Sequence, residues 1–347
     1  MRKLVTIRQV SSLRPIAGAD AIECASVDGW SVVVKKTEFQ AGDACLYFEI
    51  DSFLPLSDER FGFLAKNKII WNEKEGIRLR TIKLRGQISQ GLILPLHNFP
   101  ELAAYKNGEL ADVDLSKMLG VEKWEAPIPA SLSGEVEGPF PSFISKTEQE
   151  RIQNLPELLA TDTNETNEQF EVTIKLDGSS MTVFHDGTVS GVCGRNWWIR
   201  ESDSNSLWRV AKQNNLLVAL KKYGRKLALQ GEIIGEGIQG NPEKLRGQEF
   251  YLFDIFDIDQ YQYLGREARI QVVNDLRELG ASIKEVPFIE MTSLAKFDQD
   301  VEKILTYAEG GSLNPTTLRE GVVFKRLDGN MSFKAIANSY LLKHADR

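Results

Sequence analysis

The chain has 347 residues, of which 42% are hydrophobic and 26% charged, and its formal net charge is −7. This length favours two domains, and the absence of a long apolar run or an N-terminal apolar segment predicts neither a membrane span nor a signal peptide. Three scattered cysteines and three scattered histidines predict neither disulfides nor a zinc site. A soluble intracellular protein that is not a general polyanion binder is therefore expected.

Short runs of β-branched and aromatic residues predict a small β-barrel in residues 1–124. Examples are the runs that begin at Trp30 and Ala44, each preceded by turn residues, and a third run that ends at Pro95. Residues 125–141 are rich in proline, glycine and serine, which predicts a linker. Residues 142–347 mix strand and helix patterns, so the chain is expected to be an α+β protein.

Three helices are predicted in this second part. The capping-box spacing of Thr147 and Glu150 predicts a helix that begins near Thr147. Apolar periodicity predicts two more, from Leu207 to Tyr223 and from Arg266 to Leu279, and each is followed by a glycine. Strands that carry unusual charges lie between them.

One basic run stands out in the predicted barrel. Residues 77–90 contain no carboxylate and four cations, Arg78, Arg80, Lys83 and Arg85. Such a run is compatible with a solvated surface or with contacts to nucleic acid phosphates, and composition does not separate the two.

Isolated charges interrupt four apolar strand segments in the second part. A charge on an apolar strand is costly unless it is paired. Any one of these segments could be an exposed sheet face, but four in one domain predict a shared polar cleft. The charged residues are Lys175, Glu232, Glu320 and Lys334.

These segments resemble the motifs of the covalent nucleotidyltransferases, which comprise DNA ligases, RNA ligases and mRNA capping enzymes. Lys175-Leu176-Asp177-Gly178 matches their nucleophile motif Lys-x-Asp-Gly, and the segments around Arg195, Glu232, Phe253, Glu320 and Lys334 follow in the family's order. Residues 231–241 resemble the RNA ligase 2 branch. The barrel-first order and the junction at 140–147 are similar to the Naegleria-type RNA ligases.

The resemblance implies an ATP-dependent RNA ligase that joins 3′-hydroxyl and 5′-phosphate ends, with nicks in duplex RNA as the expected substrate. Lys175 would take AMP from ATP, the AMP would pass to the RNA 5′-phosphate, and the 3′-hydroxyl would then displace it. The N-terminal part would be an oligonucleotide-binding barrel ahead of a domain of antiparallel sheets flanked by helices. A monomer is expected, with Arg78, Arg80, Lys83 and Arg85 contacting RNA.

The resemblance also assigns roles to individual residues. Phe253 would stack on adenine, and Ile336 occupies the place of a second lysine that the family's last motif often carries. The expected metal ligands, through water, are Asp177, Glu232 and Glu320. The expected catalytic residues are Lys175, Glu232, Glu320 and Lys334. The expected ATP-binding residues are Lys175, Arg195, Glu232, Phe253, Glu320, Lys334 and Arg151.

The charge of this residue set predicts a metal cofactor. An ordinary lysine is protonated at neutral pH, whereas the reaction needs the neutral amine. Neighbouring carboxylates favour the ammonium form, and a divalent cation among them would reverse that effect. Oxygen ligands indicate Mg²⁺ or Mn²⁺.

Two other classes of function remain open. A capping guanylyltransferase or DNA ligase normally carries an oligonucleotide-binding barrel after the last motif, and only about thirteen residues follow Lys334 here. A catalytically inert RNA-binding protein would not need the intact set of motif residues. Transfer of label from ATP or GTP to the protein separates these alternatives.

Overall fold

The computed structural model describes residues 3–104, 113–125, 134–160 and 168–344. The chain forms two compact units, Met1–Pro127 with Leu341–Arg347 and Ile128–Tyr340. Residues 126–133 of the predicted linker lie outside the described residues, while Val136–Pro139 form a strand of the second unit. In the described part of the chain, no helix has the length and apolar character that a membrane span requires.

The first unit consists mainly of short antiparallel strands separated by turns. Its 3-10 helices cover Glu59–Asn67, Leu96–Asn98 and Pro100–Ala104. Its strands are β1 (Val5–Gln9), β2 (Ser12–Pro15), β3 (Ile22–Val27), β4 (Trp30–Lys35), β5 (Ala44–Phe48), β6 (Ser52–Pro55), β7 (Ile69–Trp71), β8 (Lys74–Arg78), β9 (Ile82–Leu84), β10 (Gln87–Ser89), β11 (Leu92–Pro95) and β12 (Glu122–Lys123).

These strands form four small sheets, in the orders β1-β5-β11, β2-β3-β4, β10-β9 and β12-β6-β8-β7. Strand β4 shows how the sequence builds the core, because Trp30, Val32 and Val34 alternate with more exposed residues. The three buried side chains pack with Tyr47 of β5 and Ile93 of β11, which joins strands of different sheets around one apolar centre. The strands predicted from Trp30, from Ala44 and up to Pro95 are all present.

The second unit combines two sheets with helices. Its 3-10 helices cover Ile152–Asn154 and Leu294–Phe297. The helices are α1 (Pro156–Ala160), α2 (Ser206–Gln213), α3 (Leu216–Tyr223), α4 (Arg266–Glu278), α5 (Val301–Tyr307) and α6 (Asn338–His344). The strands are β13 (Val136–Pro139), β14 (Glu150–Arg151), β15 (Phe170–Lys175), β16 (Ser179–His185), β17 (Ser190–Cys193), β18 (Trp197–Ile199), β19 (Leu227–Gly235), β20 (Gln248–Asp257), β21 (Gln262–Tyr263), β22 (Lys284–Glu285), β23 (Phe288–Thr292), β24 (Gly321–Arg326) and β25 (Ser332–Ile336).

The larger sheet has the order β13-β18-β17-β16-β19-β20-β21, with β22 beside β20, and the smaller has the order β14-β25-β24-β15-β23. Pairing is antiparallel except between β20 and β22 and between β14 and β25. Helices α2, α3 and α4 bury their apolar residues against one face of the larger sheet, and α5 covers one face of the smaller. Antiparallel sheets flanked by helices are the predicted architecture of this part, and the α+β prediction is confirmed.

The helix predicted near Thr147 is wrong. Residues 145–149 contain no helix, and Glu150–Arg151 form β14, which pairs in parallel with β25. The carbonyl oxygen of Ser145 accepts a hydrogen bond from the Gln230 side chain, at 2.7 Å. Strand pairing and this distant contact hold the segment extended, so tertiary structure overrides the local capping pattern.

The helix predicted from Leu207 to Tyr223 is two helices, α2 and α3. Asn215 adopts a left-handed conformation, with φ of 54°, and it separates them. The prediction for residues 266–279 agrees with α4 to within one residue. Glycines after both helical segments, Gly224 and Gly280, take positive φ values as helix-ending residues often do.

Candidate active site

Strand register places two of the predicted site residues, Lys175 and Lys334, on one face of the smaller sheet. Lys175 of β15 lies opposite Gly321 of β24, and Thr173 lies opposite Val323, which in turn faces Lys334 of β25. Directly opposed residues of an antiparallel pair point to the same face. Lys175 and Lys334 therefore share a face, while the apolar residues that alternate with them pack against α5.

Lys175 contacts a carboxylate in the free protein. Its Nζ donates a hydrogen bond to Glu320 Oε2 at 2.7 Å. Glu320 immediately precedes β24, so the pairing of β24 with β15 brings it beside the lysine. The two side chains are 23% and 19% exposed, so both are largely but not completely enclosed.

Three carboxylates set the protonation state of Lys175. Burial alone would favour the neutral amine, but Glu320, Glu232 and Asp177 outweigh burial, and the pKa of Lys175 is raised above its ordinary value. In the absence of a cation, Lys175 is therefore an ammonium group and not a nucleophile.

Glu232 of β19 responds to the same surroundings in the opposite sense. Burial raises the pKa of Glu232 to about 7; Lys175 opposes this rise, and the carboxylates of Glu320 and Asp177 add to it. The backbone N–H of Gly178 donates to Glu232, and this position needs glycine, because a Cβ there would lie 2.4 Å from the Ile233 carbonyl oxygen. The last residue of the Lys-x-Asp-Gly motif thus permits the close approach of two strands.

The donor set fits a divalent cation. Three carboxylates around one ammonium leave an excess of negative charge, which a cation would offset. Within residues 3–104, 113–125, 134–160 and 168–344, no three His, Cys, Asp or Glu side chains are grouped so that they could hold a metal ion by themselves. A cation bound here would keep water or phosphate oxygens among its ligands, as Mg²⁺ and Mn²⁺ do.

A β-bulge sets the direction of Phe253. Gln230 of β19 lies opposite Asp254, but the next residue, Gly231, lies opposite Leu252, so Phe253 is an extra residue on β20. Bulges of this kind turn a side chain away from regular alternation and are common near active sites. The partly exposed Phe253 is therefore placed differently from its apolar neighbours on the strand.

Comparisons with known proteins identify this arrangement. A family model described as RNA ligase matches residues 168–337, and one described as an OB-fold domain matches residues 4–96. The structure of Naegleria gruberi RNA ligase with PPi is 52% identical to this chain, with 100% of each chain covered and a TM-score of 0.85. The chain belongs to the RNA ligase family.

Two structures of variants of the same Naegleria gruberi enzyme are also similar. One, with AMP and Mn, is 51% identical over 100% of both chains, with a TM-score of 0.86. The other, with ATP and Mn, is 51% identical over 99% of this chain and 100% of that chain, with a TM-score of 0.85. A comparison with curated proteins finds no match. The prediction of an RNA ligase with an N-terminal oligonucleotide-binding fold is confirmed.

The two remaining predicted ATP-binding residues, Arg151 and Arg195, have different surroundings. Arg151 of β14 is in register with Lys334 of β25, so these two cations are neighbours. Arg195 lies in the turn between β17 and β18, where its exposed side chain is 3.6 Å from Glu148. Ile336, at the place of the expected second lysine, is buried. It lies opposite Gly321, which in turn lies opposite Lys175.

The four predicted RNA-binding cations differ in whether they already have a partner within the protein. Arg78 forms an ion pair with Asp51 at 2.9 Å, and its guanidinium lies 3.6 Å from the ring centroid of Trp124. Arg80, Lys83 and Arg85 are exposed. The β9–β10 hairpin carries Lys83 on an exposed strand and Arg85 in its tight turn. Arg78 is therefore already engaged within its own unit, whereas the other three cations face solvent.

Sequence reasoning missed a buried ionic group beside Phe253. Lys325 of β24 donates a hydrogen bond to the Phe253 carbonyl oxygen and lies 2.8 Å from Asp254. On the same face, Glu171 accepts a hydrogen bond from Arg269 of α4. These contacts join the two sheets and fix the bulge. The signal in the sequence is the pair of opposite charges, Asp254 and Lys325, each of which lies in an apolar strand segment close to a predicted site residue.

Proposed function

We propose that this RNA ligase uses ATP and a divalent cation to seal breaks between 3′-hydroxyl and 5′-phosphate ends of RNA. The contact between Lys175 and Glu320, within a group of three carboxylates, carries the proposal. It supplies a nucleophile together with the groups that bind a cation. The ATP, AMP and Mn bound by variants of the Naegleria gruberi enzyme support ATP and a divalent metal as cofactors here.

In the first step, the ammonium group of Lys175 releases a proton to water, and the resulting amine attacks the α-phosphorus of ATP. The new N–P bond replaces the P–O bond to pyrophosphate, which leaves. Asp177, Glu232 and Glu320 would hold the cation through water, and that cation supplies charge that lowers the pKa of Lys175 and polarises the phosphate. Lys334 would offset charge on the transferring phosphate, with Arg151 beside it.

In the second and third steps, AMP passes from Lys175 to the RNA 5′-phosphate, and the 3′-hydroxyl then attacks that activated phosphate and releases AMP. Phe253 would stack on adenine throughout. The exposed Arg195 would contact the nucleotide or the RNA 5′-phosphate, which requires it to leave Glu148.

We assign duplex RNA binding to Arg80, Lys83 and Arg85, with the ligase acting as a monomer. The exposure of these cations, and the absence of carboxylates from residues 77–90, support phosphate contacts. Arg78 contributes less, because Asp51 already neutralises it.

The activity is tested by incubation of the full chain with α-labelled ATP or GTP and Mn²⁺, followed by denaturing electrophoresis. We expect label on the protein from ATP only, and sealing of a nicked RNA duplex. Transfer from GTP would indicate a capping enzyme, and no transfer from either nucleotide would indicate an inert RNA-binding protein.

The RNA assignment is tested with the triple variant Arg80→Ala, Lys83→Ala and Arg85→Ala. We expect normal protein labelling but weaker binding of nicked duplex RNA, with a salt dependence reduced by roughly two to three in slope. The matched control removes the exposed cations Lys35 and Lys36. Equal losses in both variants would contradict a specific RNA contact at the hairpin.

A further inference from the structure

Glu243 lies in the connection between β19 and β20, and its carboxylate is buried, with 6% of the residue exposed. One oxygen accepts a hydrogen bond from the Ser312 hydroxyl, and the other accepts the backbone N–H of Asn314 at 2.7 Å. Beside it, the Thr317 hydroxyl donates to the carbonyl oxygen of Pro242, also at 2.7 Å. Three hydrogen bonds therefore fasten residues 312–317 to residues 242–243; we call this arrangement the latch.

The Glu243 carboxylate is buried and accepts hydrogen bonds from neutral donors only, which makes its removal costly. Removal of such a group leaves buried donors unsatisfied, and hydrogen bonds to a charged acceptor are stronger than neutral ones. The connection around Glu243 is itself shaped for this role, because Asn241 makes two side-chain hydrogen bonds to the backbone of Leu245. Glu243 is thus presented by a fixed turn, not by a loose loop.

Hydrogen bonds hold the latched segment along its length up to Arg319, the residue before Glu320. The backbone of Ser312 pairs with Thr317 at 2.9 Å, and the backbone of Arg319 pairs with Gly310 at 3.0 Å. The guanidinium of Arg319 donates to three carbonyl oxygens at the end of the preceding helix, those of residues 307, 308 and 309. A displacement at Asn314 is therefore passed along the segment to the residue that follows Arg319.

The latch also adjoins the lysine through apolar packing. Leu313, between the two residues that Glu243 binds, packs against a cluster that contains Leu176 and Ile234. Leu176 directly follows Lys175, and Ile234 lies two residues after Glu232 on β19. The latch therefore packs, through Leu313, beside the strands that carry Lys175 and Glu232.

We propose that Glu243 is a positioning residue that sets the place of Glu320 beside Lys175 by holding residues 312–317 against the β19–β20 connection. It contacts neither nucleotide nor cation. It acts through Glu320, and the proposal rests on the proposed function, in which Glu320 helps to bind the cation that activates Lys175.

The test measures single-turnover transfer of label from ATP to the full chain with Mn²⁺, at several ATP concentrations. We expect Glu243→Ala to lower the limiting rate about 10- to 100-fold, as loss of a group that orients a metal ligand does. The half-saturating ATP concentration should change little. Glu243→Gln should stay within roughly threefold of wild type, since a carboxamide can accept from Asn314 and donate to the Ser312 oxygen. Glu236→Ala is the matched control, because Glu236 is an exposed glutamate of the same connection.

A double-variant cycle separates positioning from a structural role. If Glu243 acts through Glu320, Glu243→Ala should add about twofold or less to the defect of Glu320→Ala. Multiplied defects, an unchanged rate in Glu243→Ala, or equal losses in Glu243→Ala and Glu243→Gln would overturn the proposal.

A second variant covers the case in which Glu243→Ala does not fold. Ser312→Ala removes one donor, and we expect a smaller loss of limiting rate that disappears in the Glu320→Ala background; an unchanged rate would overturn the proposal. Absence of label on wild type and on Glu236→Ala would reject the proposed function and the latch together. Normal labelling of all variants would reject the latch alone.

Discussion

Lys175 and Lys325 lie on the same face of the same sheet, on neighbouring strands, yet their surroundings shift their pKa values in opposite directions. For Lys175, the carboxylates of Glu320, Glu232 and Asp177 outweigh burial, and the pKa is raised. For Lys325, burial outweighs the attraction of Asp254, and the pKa is lowered. The lysine in the nucleophile motif is thus the one that the free protein keeps protonated.

The difference shows that a lowered pKa alone does not identify the reacting lysine. The Lys325 side chain is only 9% exposed, and its amine is occupied by Asp254 and the Phe253 carbonyl oxygen. The Lys175 side chain is 23% exposed and stands among more carboxylates than it can neutralise. A partly exposed lysine with an excess of negative charge around it is arranged for a cation and a phosphate, whereas a buried and fully engaged amine holds two sheets together.

The largest effect expected from this comparison is on protein labelling. Lys175→Ala should abolish transfer of AMP from ATP to the protein and leave the fold intact, because it removes the amine that lies beside Glu320. Lys325→Met should still form the adduct, more slowly. Denaturing electrophoresis with labelled ATP, alongside circular dichroism, measures both. An adduct of normal yield on Lys175→Ala would remove Lys175 from the mechanism.

The carboxylates around Lys175 give the next largest effect. Glu232→Ala and Glu320→Ala should each slow labelling by orders of magnitude, as losses of preorganised electrostatic stabilisation do, and chelation of the metal should act likewise. A charge argument without a cation gives the opposite sign, because removal of an anion lowers the pKa of a neighbouring lysine. Single-turnover rates across pH decide between them. Faster reaction of either variant at neutral pH without metal would contradict activation by a cation.

The buried ion pair of Lys325 and Asp254 should have the largest effect on the free energy of unfolding. Lys325→Met leaves Asp254 buried without its cation, and we expect a loss of about 3–5 kcal/mol in the free energy of unfolding. Lys325→Met with Asp254→Leu should recover most of that loss, since two apolar side chains can replace a buried ion pair. Urea unfolding measures the stability. Recovery of stability without recovery of ATP affinity would indicate that Lys325 also orients Phe253 through its carbonyl group.

A smaller effect is expected in the pH dependence of stability. The pKa of Glu232 rises from its ordinary 4.5 to about 7 in the folded protein. Between these values the folded state binds more protons at Glu232 than the unfolded state, so the contribution of Glu232 to stability is greatest below about pH 4.5 and falls as pH rises to about 7. The loss should be about 3 kcal/mol at most.

Unfolding of the metal-free protein at pH 5 and pH 8 measures this contribution as the difference between wild type and Glu232→Gln. The exposed Glu236→Gln serves as the control. The same pH dependence in wild type and Glu232→Gln would mean that Glu232 is ionised throughout and that its burial has no energetic consequence.

The positions that the sequence predicted well are those fixed by strand alternation. Lys175 and Lys334 reach one face because residues of a strand alternate and opposed residues share a face, so a motif on each strand is enough to place them. The predictions that were wrong depended on local helix signals. Thr147 has the spacing of a capping box, but β14 pairs with β25 instead, and Asn215 breaks a periodic segment in two.

The sequence by itself determined the family chemistry of this protein. Its ordered motifs place a lysine, three carboxylates and further cations on or beside strands of the second unit, and the alternation of apolar residues indicates the face on which the strand residues lie. That information is local, because each motif is a short segment whose geometry follows from strand periodicity.

Only the tertiary structure decided which charges are partners. Lys325 meets Asp254 across two sheets, Arg78 meets Asp51 rather than solvent, and Glu243 binds the distant Ser312. Burial and opposing charge fix these roles, and both depend on contacts between segments far apart in the chain. A periodic pattern gives the face on which a side chain lies, but the pairing of the strands gives the group that it meets.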